Sequence, residues 1–149
     1  PWCGHEIRDG FSVAGNMLAG PEVVRDTVAA FEAASHLPLA ERFLEALRAG
    51  EAAGGDKRGK QSAALLVHDT EEYPLIDIRV DDHPDPLPEL GRLLAIWGER
   101  FVHYRKAMPS RARPSGIRGR DAIERAIADS IAEAASRPGL SGAPLASTL

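Results

Sequence analysis

Ser62-Ala63-Ala64-Leu65-Leu66-Val67 is a continuous small-to-apolar run of strand length, and its reading decides the fold. Nothing in it is charged, so no wet face separates from a dry one, and the run reads as a strand buried on both faces. The stretch after it reads differently. Ile76, Ile78 and Val80 alternate with Asp77 and Arg79, the pattern of a half-exposed strand, and residues 69–74 between the two form a hairpin loop. Asp81-Asp82-His83-Pro84-Asp85-Pro86 closes the pair, because proline cannot continue a ladder.

Working upstream, Phe11-Ser12-Val13-Ala14-Gly15-Asn16-Met17-Leu18 alternates apolar and small residues and reads as a strand running into a turn. Gly20-Pro21 opens a helix at the one place where proline's missing N–H costs nothing, and Val23, Val24, Val28 and Phe31 make its apolar stripe. His36-Leu37-Pro38 breaks that helix. A second follows with Leu39, Phe43, Leu44 and Leu47 on one face, stopped at Gly50 and Gly54-Gly55. Downstream, Leu90, Leu93, Leu94, Trp97, Phe101 and Tyr104 mark a long amphipathic helix. Residues 107–119 shift to Pro, Ser, Gly and Arg and read as a linker. Asp121 starts a last helix carrying Ile123, Ile127, Ile131 and Ala134, ended by Pro138-Gly139, with residues 141–149 as a frayed end.

The expected class is therefore α+β: residues 1–106 as one domain portion, 107–119 as linker and 120–149 as a helical tail. A strand buried on both faces needs a covering layer on each. The helical pair at 21–50 supplies one, and nothing obvious supplies the other. Part of a larger fold, or a partner, is expected to complete it.

Composition narrows the function classes. The chain has 149 residues, 44% hydrophobic and 27% charged, which suits one globular domain rather than disorder. A net charge of -4 argues against a general nucleic-acid binder. No apolar run approaches the ~18 residues of a membrane span. Cys3 is the single cysteine, which excludes an intramolecular disulfide framework and multi-cysteine zinc sites. The expectation is a soluble, cytoplasmic homo-oligomer. The first residue is Pro1 rather than Met, so either a segment was removed from the front or the sequence begins mid-gene.

Several segments carry possible chemistry. Gly54-Gly55-Asp56-Lys57-Arg58-Gly59-Lys60 approximates a phosphate-cradling loop, but Gln61 stands where Ser or Thr should hold magnesium, and the loop lies between a helix and a strand rather than the reverse. The plain reading is a solvated turn whose charges sit at the rim of a site. Asp81, Asp82, His83 and Asp85 form the densest oxygen-rich set, suited to a hard cation, though their spacing matches no metal motif and fits a strand end closed by Asx turns. Gly15-Asn16 could present donors to an oxyanion, or form a simple turn. Cys3 reads more readily as a small buried hydrophobe than as a nucleophile, and His5 and His68 as structural. Arg105, Lys106, Arg111, Arg113, Arg118 and Arg120 lack interleaved aromatics for base stacking and read as a solvated stretch.

Three blocks in order carry a resemblance: the Gly10–Val24 segment, the Gly54–Ala63 segment and Val80-Asp81-Asp82-His83-Pro84-Asp85-Pro86. Over residues 1 to 95 they resemble the C-terminal part of the domain-of-unknown-function family 1028, which is classed as N-terminal-nucleophile (Ntn) hydrolase-like. The resemblance implies part of a four-layer αββα sandwich, with the helical pair 21–50 outside one sheet and strand 62–67 in the buried double layer. It also implies an amidohydrolase or peptidase acting on a small amide or peptide. In that mechanism an N-terminal Thr, Ser or Cys attacks the carbonyl while its own α-amino group serves as base. Pro1 has neither hydroxyl nor thiol, so the nucleophile is expected outside this chain and the chain by itself inactive. Asn16 is the candidate oxyanion contact, with Asp56, Lys57 and Arg58 as substrate-anchoring groups; no cofactor is expected. A contrasting reading is a non-catalytic module that binds a cation or partner through residues 81–85 or the C-terminal tail.

Overall fold

The structure, a computed structural model, describes residues 1–136. Four strands and their helices follow in the order β1 Trp2–Arg8, β2 Phe11–Leu18, α1 Glu22–Ala33, α2 Leu39–Ala52, β3 Ala63–Val67, β4 Ile76–Val80 and α3 Pro86–Ile96. A π-helical turn, Trp97–Phe101, leads to α4 Val102–Tyr104 and a 3-10 turn Arg105–Ala107, and α5 spans Arg120–Ser136. This is a mixed α/β chain with two small sheets, β1 with β2 and β3 with β4. The described residues divide into two compact units, residues 1–65 with 78–91 and residues 66–77 with 92–136.

In the first unit β1 and β2 form an antiparallel hairpin, with His5 opposite Ala14 and Arg8 opposite Phe11. Asp9-Gly10 makes its two-residue turn, and Gly10 takes φ 80°, where a side chain is disfavoured. The hairpin's inner face lies on α1, whose Val23, Val24, Val28 and Phe31 are buried. α2 packs antiparallel-fashion beside α1 at Gly50, where a Cβ would stand 2.4 Å from the Thr27 hydroxyl oxygen. Phe31 joins the three elements. Its ring lies 4.6 Å from Phe11 on β2 and 5.3 Å from Phe43 on α2. The Arg42 guanidinium sits 4.0 Å over the same ring and donates to the Phe31 carbonyl oxygen at 3.2 Å. Leu44, Leu65, Val80, Leu87 and Leu90 are also buried in this unit.

In the second unit, Val67, Ile76, Leu94 and Trp97 are buried. Residues 108–119 lack regular structure yet are tied in place. The Tyr73 hydroxyl donates to Pro109 O at 2.7 Å, Ile117 N–H to Ala107 O at 2.9 Å, and Arg105 pairs with Asp69 at 3.1 Å. α5 rests on α4 through a 3.0 Å His103–Ser130 contact and buries none of its residues fully.

Two expectations change. Residues 62–67 are not buried on both faces: Leu65 and Val67 are buried, while Leu66 is 53% exposed. A continuous apolar run hides the period of two when the outer residues are apolar as well, so the sequence could not tell one dry face from two. The strand at 2–8 was not anticipated, although the Asp-Gly dipeptide before Phe11 is the hairpin signal that should have located it. The helix stop at Pro138-Gly139 and the frayed end at 141–149 lie outside the described residues.

Phe31→Ala should lower unfolding stability by about 3–5 kcal/mol, since it removes a buried ring that three elements share. Urea denaturation measures this, and a loss below about 1 kcal/mol would mean that the rings do not hold the hairpin to the helices.

Candidate functional site

Asn16 belongs to an irregularity in the hairpin. Trp2 pairs with Leu18 and Gly4 with Gly15, so Cys3 alone faces both Asn16 and Met17. Two residues opposite one make a β-bulge, which breaks alternation and re-aims side chains. Met17 absorbs the bulge at φ 56°, the left-handed region that a non-glycine residue enters at a cost of about 1–2 kcal/mol. Asn16 ends exposed, on the same outer face as Cys3, His5, Ile7, Ser12 and Ala14. Cys3 is therefore exposed rather than buried, because its strand, unseen in the sequence, turns that position outward. His5 and His68 are exposed too.

The loop after α2 docks on this bulge. Lys57 N–H donates to Met17 O at 2.8 Å, Ala19 N–H donates to Gly55 O at 2.9 Å, and Leu18 bridges Asp56. The structure thus brings Asn16 next to the Asp56–Arg58 triplet. The Asp56 carboxylate accepts the Arg58 backbone N–H at 2.8 Å, closing an Asx turn, and holds the guanidinium with both oxygens at 2.6–3.2 Å. That side-chain bond, then the backbone bond, pulls the Asp56 pKa from 3.8 to about 2. The same pairing raises the Arg58 pKa.

Lys60, two residues on, reaches Asp85 at 2.6 Å and also pairs with Glu51. Bonds to Asp85 and then Glu51 raise its pKa. One ammonium thereby ties the end of α2 to the residue preceding α3. Gln61 adds a second tie, donating its amide to Asp82 at 3.1 Å while its carbonyl accepts His83 N–H at 2.9 Å. The Asp82, His83 and Asp85 side chains are thus engaged, and the Asp85 N–H donates to His83 Nδ1 at 3.0 Å. Among the described residues no three His, Cys, Asp or Glu side chains converge on one metal position.

Residues 1–90 match the family described as "Family of unknown function (DUF1028)". The chain belongs to this family. A crystal structure of a member from Silicibacter pomeroyi is 30% identical, covers 79% of this chain and superposes with a TM-score of 0.68. The match spans 50% of that protein, so this chain corresponds to half its length. No curated protein matches. Among the described residues no helix is long and apolar enough to cross a membrane.

The Asp56 shift has a definite sign. A depressed carboxyl pKa contributes stability that is fully present above the unfolded value of 3.8 and is lost as pH falls through about 2. Carbon-detected NMR titration should find Asp56 ionising near 2 and, in Arg58→Met, moving back toward 3.8; an unchanged midpoint in the variant would show that Arg58 is not the cause. Separately, Met17→Val should lower stability by about 1–2 kcal/mol, because a β-branched residue tolerates positive φ worse than Met. A urea midpoint equal to that of the parent would remove the strain argument.

Proposed function

We propose that this chain is the C-terminal portion of an Ntn-type amidohydrolase acting on a small amide or peptide, with the nucleophile supplied from outside these 149 residues. The observation that carries the reading is the outer face of β1–β2. Cys3, His5, Ile7, Ser12, Ala14 and Asn16 are all exposed there, and none is Lys, Arg, Asp or Glu. The inner face is half-buried against α1. Cys3, Ile7 and Ala14 are apolar and Ile7 is 70% exposed, whereas an antiparallel sheet with one face in water normally alternates to polar residues there. A half-apolar face without formal charge suits a second sheet stacked about 10 Å away. Helix, sheet, sheet, helix is the order of the four-layer sandwich, and this chain contributes a helix layer and part of one sheet.

In this reading the reaction begins when an N-terminal hydroxyl or thiol attacks the amide carbonyl, its α-amino group taking the proton. The carbonyl oxygen becomes an oxyanion, and the side-chain amide N–H of Asn16, on the outer face beside the bulge, donates to it. Asp56, Lys57 and Arg58 lie beside that position as anchoring charges. Return of the proton to the leaving nitrogen releases the amine, and water then hydrolyses the acyl-enzyme.

Intact mass and N-terminal sequencing of the native protein test the first requirement. A mature Thr, Ser or Cys is expected, and its replacement by Ala should abolish amide hydrolysis. A mature terminus lacking all three would exclude the Ntn mechanism. In that same native polypeptide, Asn16→Ala should reduce kcat by about 10²–10³, the size of one lost oxyanion donor; unchanged kcat would take Asn16 out of the mechanism.

A further inference from the structure

We propose that Lys57 is a carboxylate anchor, so that the ligand held at Asn16 is an amide or peptide bearing a free carboxylate. The inference rests on the reading of Asn16 above and narrows its substrate class.

The loop carries three cations, and two are already neutralised. Arg58 is held by both oxygens of Asp56. Lys60 is shared between Glu51 and Asp85. Lys57 is exposed and has no carboxylate partner among the described residues. Its backbone is nevertheless the best fixed of the three on the hairpin, since its N–H bonds Met17 O directly. The uncompensated ammonium therefore starts from a fixed point opposite Met17, one residue along from Asn16.

Charge balance gives the location its meaning. The whole chain carries -4, so an anionic ligand meets net repulsion unless a local positive group receives it. The Asp56–Arg58 and Lys60–Glu51–Asp85 groupings add no positive charge, leaving Lys57 as the attractive point beside the bulge. An ammonium on a flexible stem suits a ligand carboxylate better than a fixed guanidinium fork already engaged with Asp56.

Two probes test this on the native polypeptide by NMR shift titration: N-acetylglycine, which has a carboxylate, and its neutral methylamide. The carboxylate probe should bind roughly threefold to fivefold more tightly, as one exposed charge pair allows. Lys57→Met should erase that preference, Lys57→Arg should keep most of it, and about 0.5 M salt should reduce it in the parent. Equal binding of the two probes, or a preference that survives in Lys57→Met, overturns the anchor while leaving Asn16 as an amide contact. Failure of both probes to bind overturns the anchor and removes support for Asn16 as well. An Asn16→Ala chain that loses the methylamide but retains the carboxylate preference would separate the two roles in the expected direction.

Discussion

The ring of Phe31 is the constraint on which the first unit depends. A two-stranded hairpin is marginal by itself in water, and so is an isolated helix of twelve to fourteen residues. Each needs a partner for its apolar side. Phe31, 6% exposed, supplies it to both, touching Phe11 on the strand and Phe43 on the second helix. Arg42 then covers the ring with its guanidinium and bonds the Phe31 carbonyl, so a charged residue seals the aromatic cluster without being buried. Because aromatics make up only 5% of the sequence, most packing falls to Val, Leu, Ile and Ala. Three of the four phenylalanines are nevertheless spent on this one junction.

With the hairpin fixed to the helices, the position of the bulge is fixed too, and the loop at 54–60 has somewhere to dock. Its backbone bonds to Met17 and Ala19 place Asp56 at the end of β2. Its ion pairs are exposed, and exposed pairs contribute little stability individually. Their effect here is geometric. Lys60 holds the loop's far end to Glu51 and Asp85, and Asp56 folds Arg58 back on itself, so the loop is pinned from both sides of Lys57.

Much of this arrangement could be read from the residues. The helices at 22–33 and 39–52 follow their apolar stripes and proline starts, and β2 follows its alternation. The proximity of Asn16 to Asp56–Arg58 could not be read, because it depends on backbone bonds between segments some forty residues apart, which leave no mark on composition. Leu66 misled for a physical reason: an exposed leucine among buried neighbours looks like a core leucine in one dimension. Met17 carried no signal at all, since left-handed backbone at a bulge is usually announced by Gly or Asn, and here a methionine takes it. Asp9-Gly10 is the hairpin signal from which β1 was legible though not read, and the outward positions of Cys3 and His5 would have followed from alternation.

The distribution of charge across the hairpin ties these points together. Charged groups gather at its ends: Glu6 and Arg8 near the Asp9-Gly10 turn, and Asp56, Lys57 and Arg58 at the bulge. Between them the outer face is half apolar and without formal charge. If that face were built for water, charge would be scattered along it, since nothing in the packing of the inner face forbids it. Its confinement to the rim is what a sheet needs when another layer is to lie flat upon it, because a buried charge without a partner is costly. A covering layer would leave the bulge at the edge of the dry zone, with Asn16 facing inward and Lys57 at the wet margin. That is a boundary where an amide can be sheltered while a carboxylate stays solvated, and the left-handed backbone at Met17 marks where the strand's alternation stops, just past Asn16.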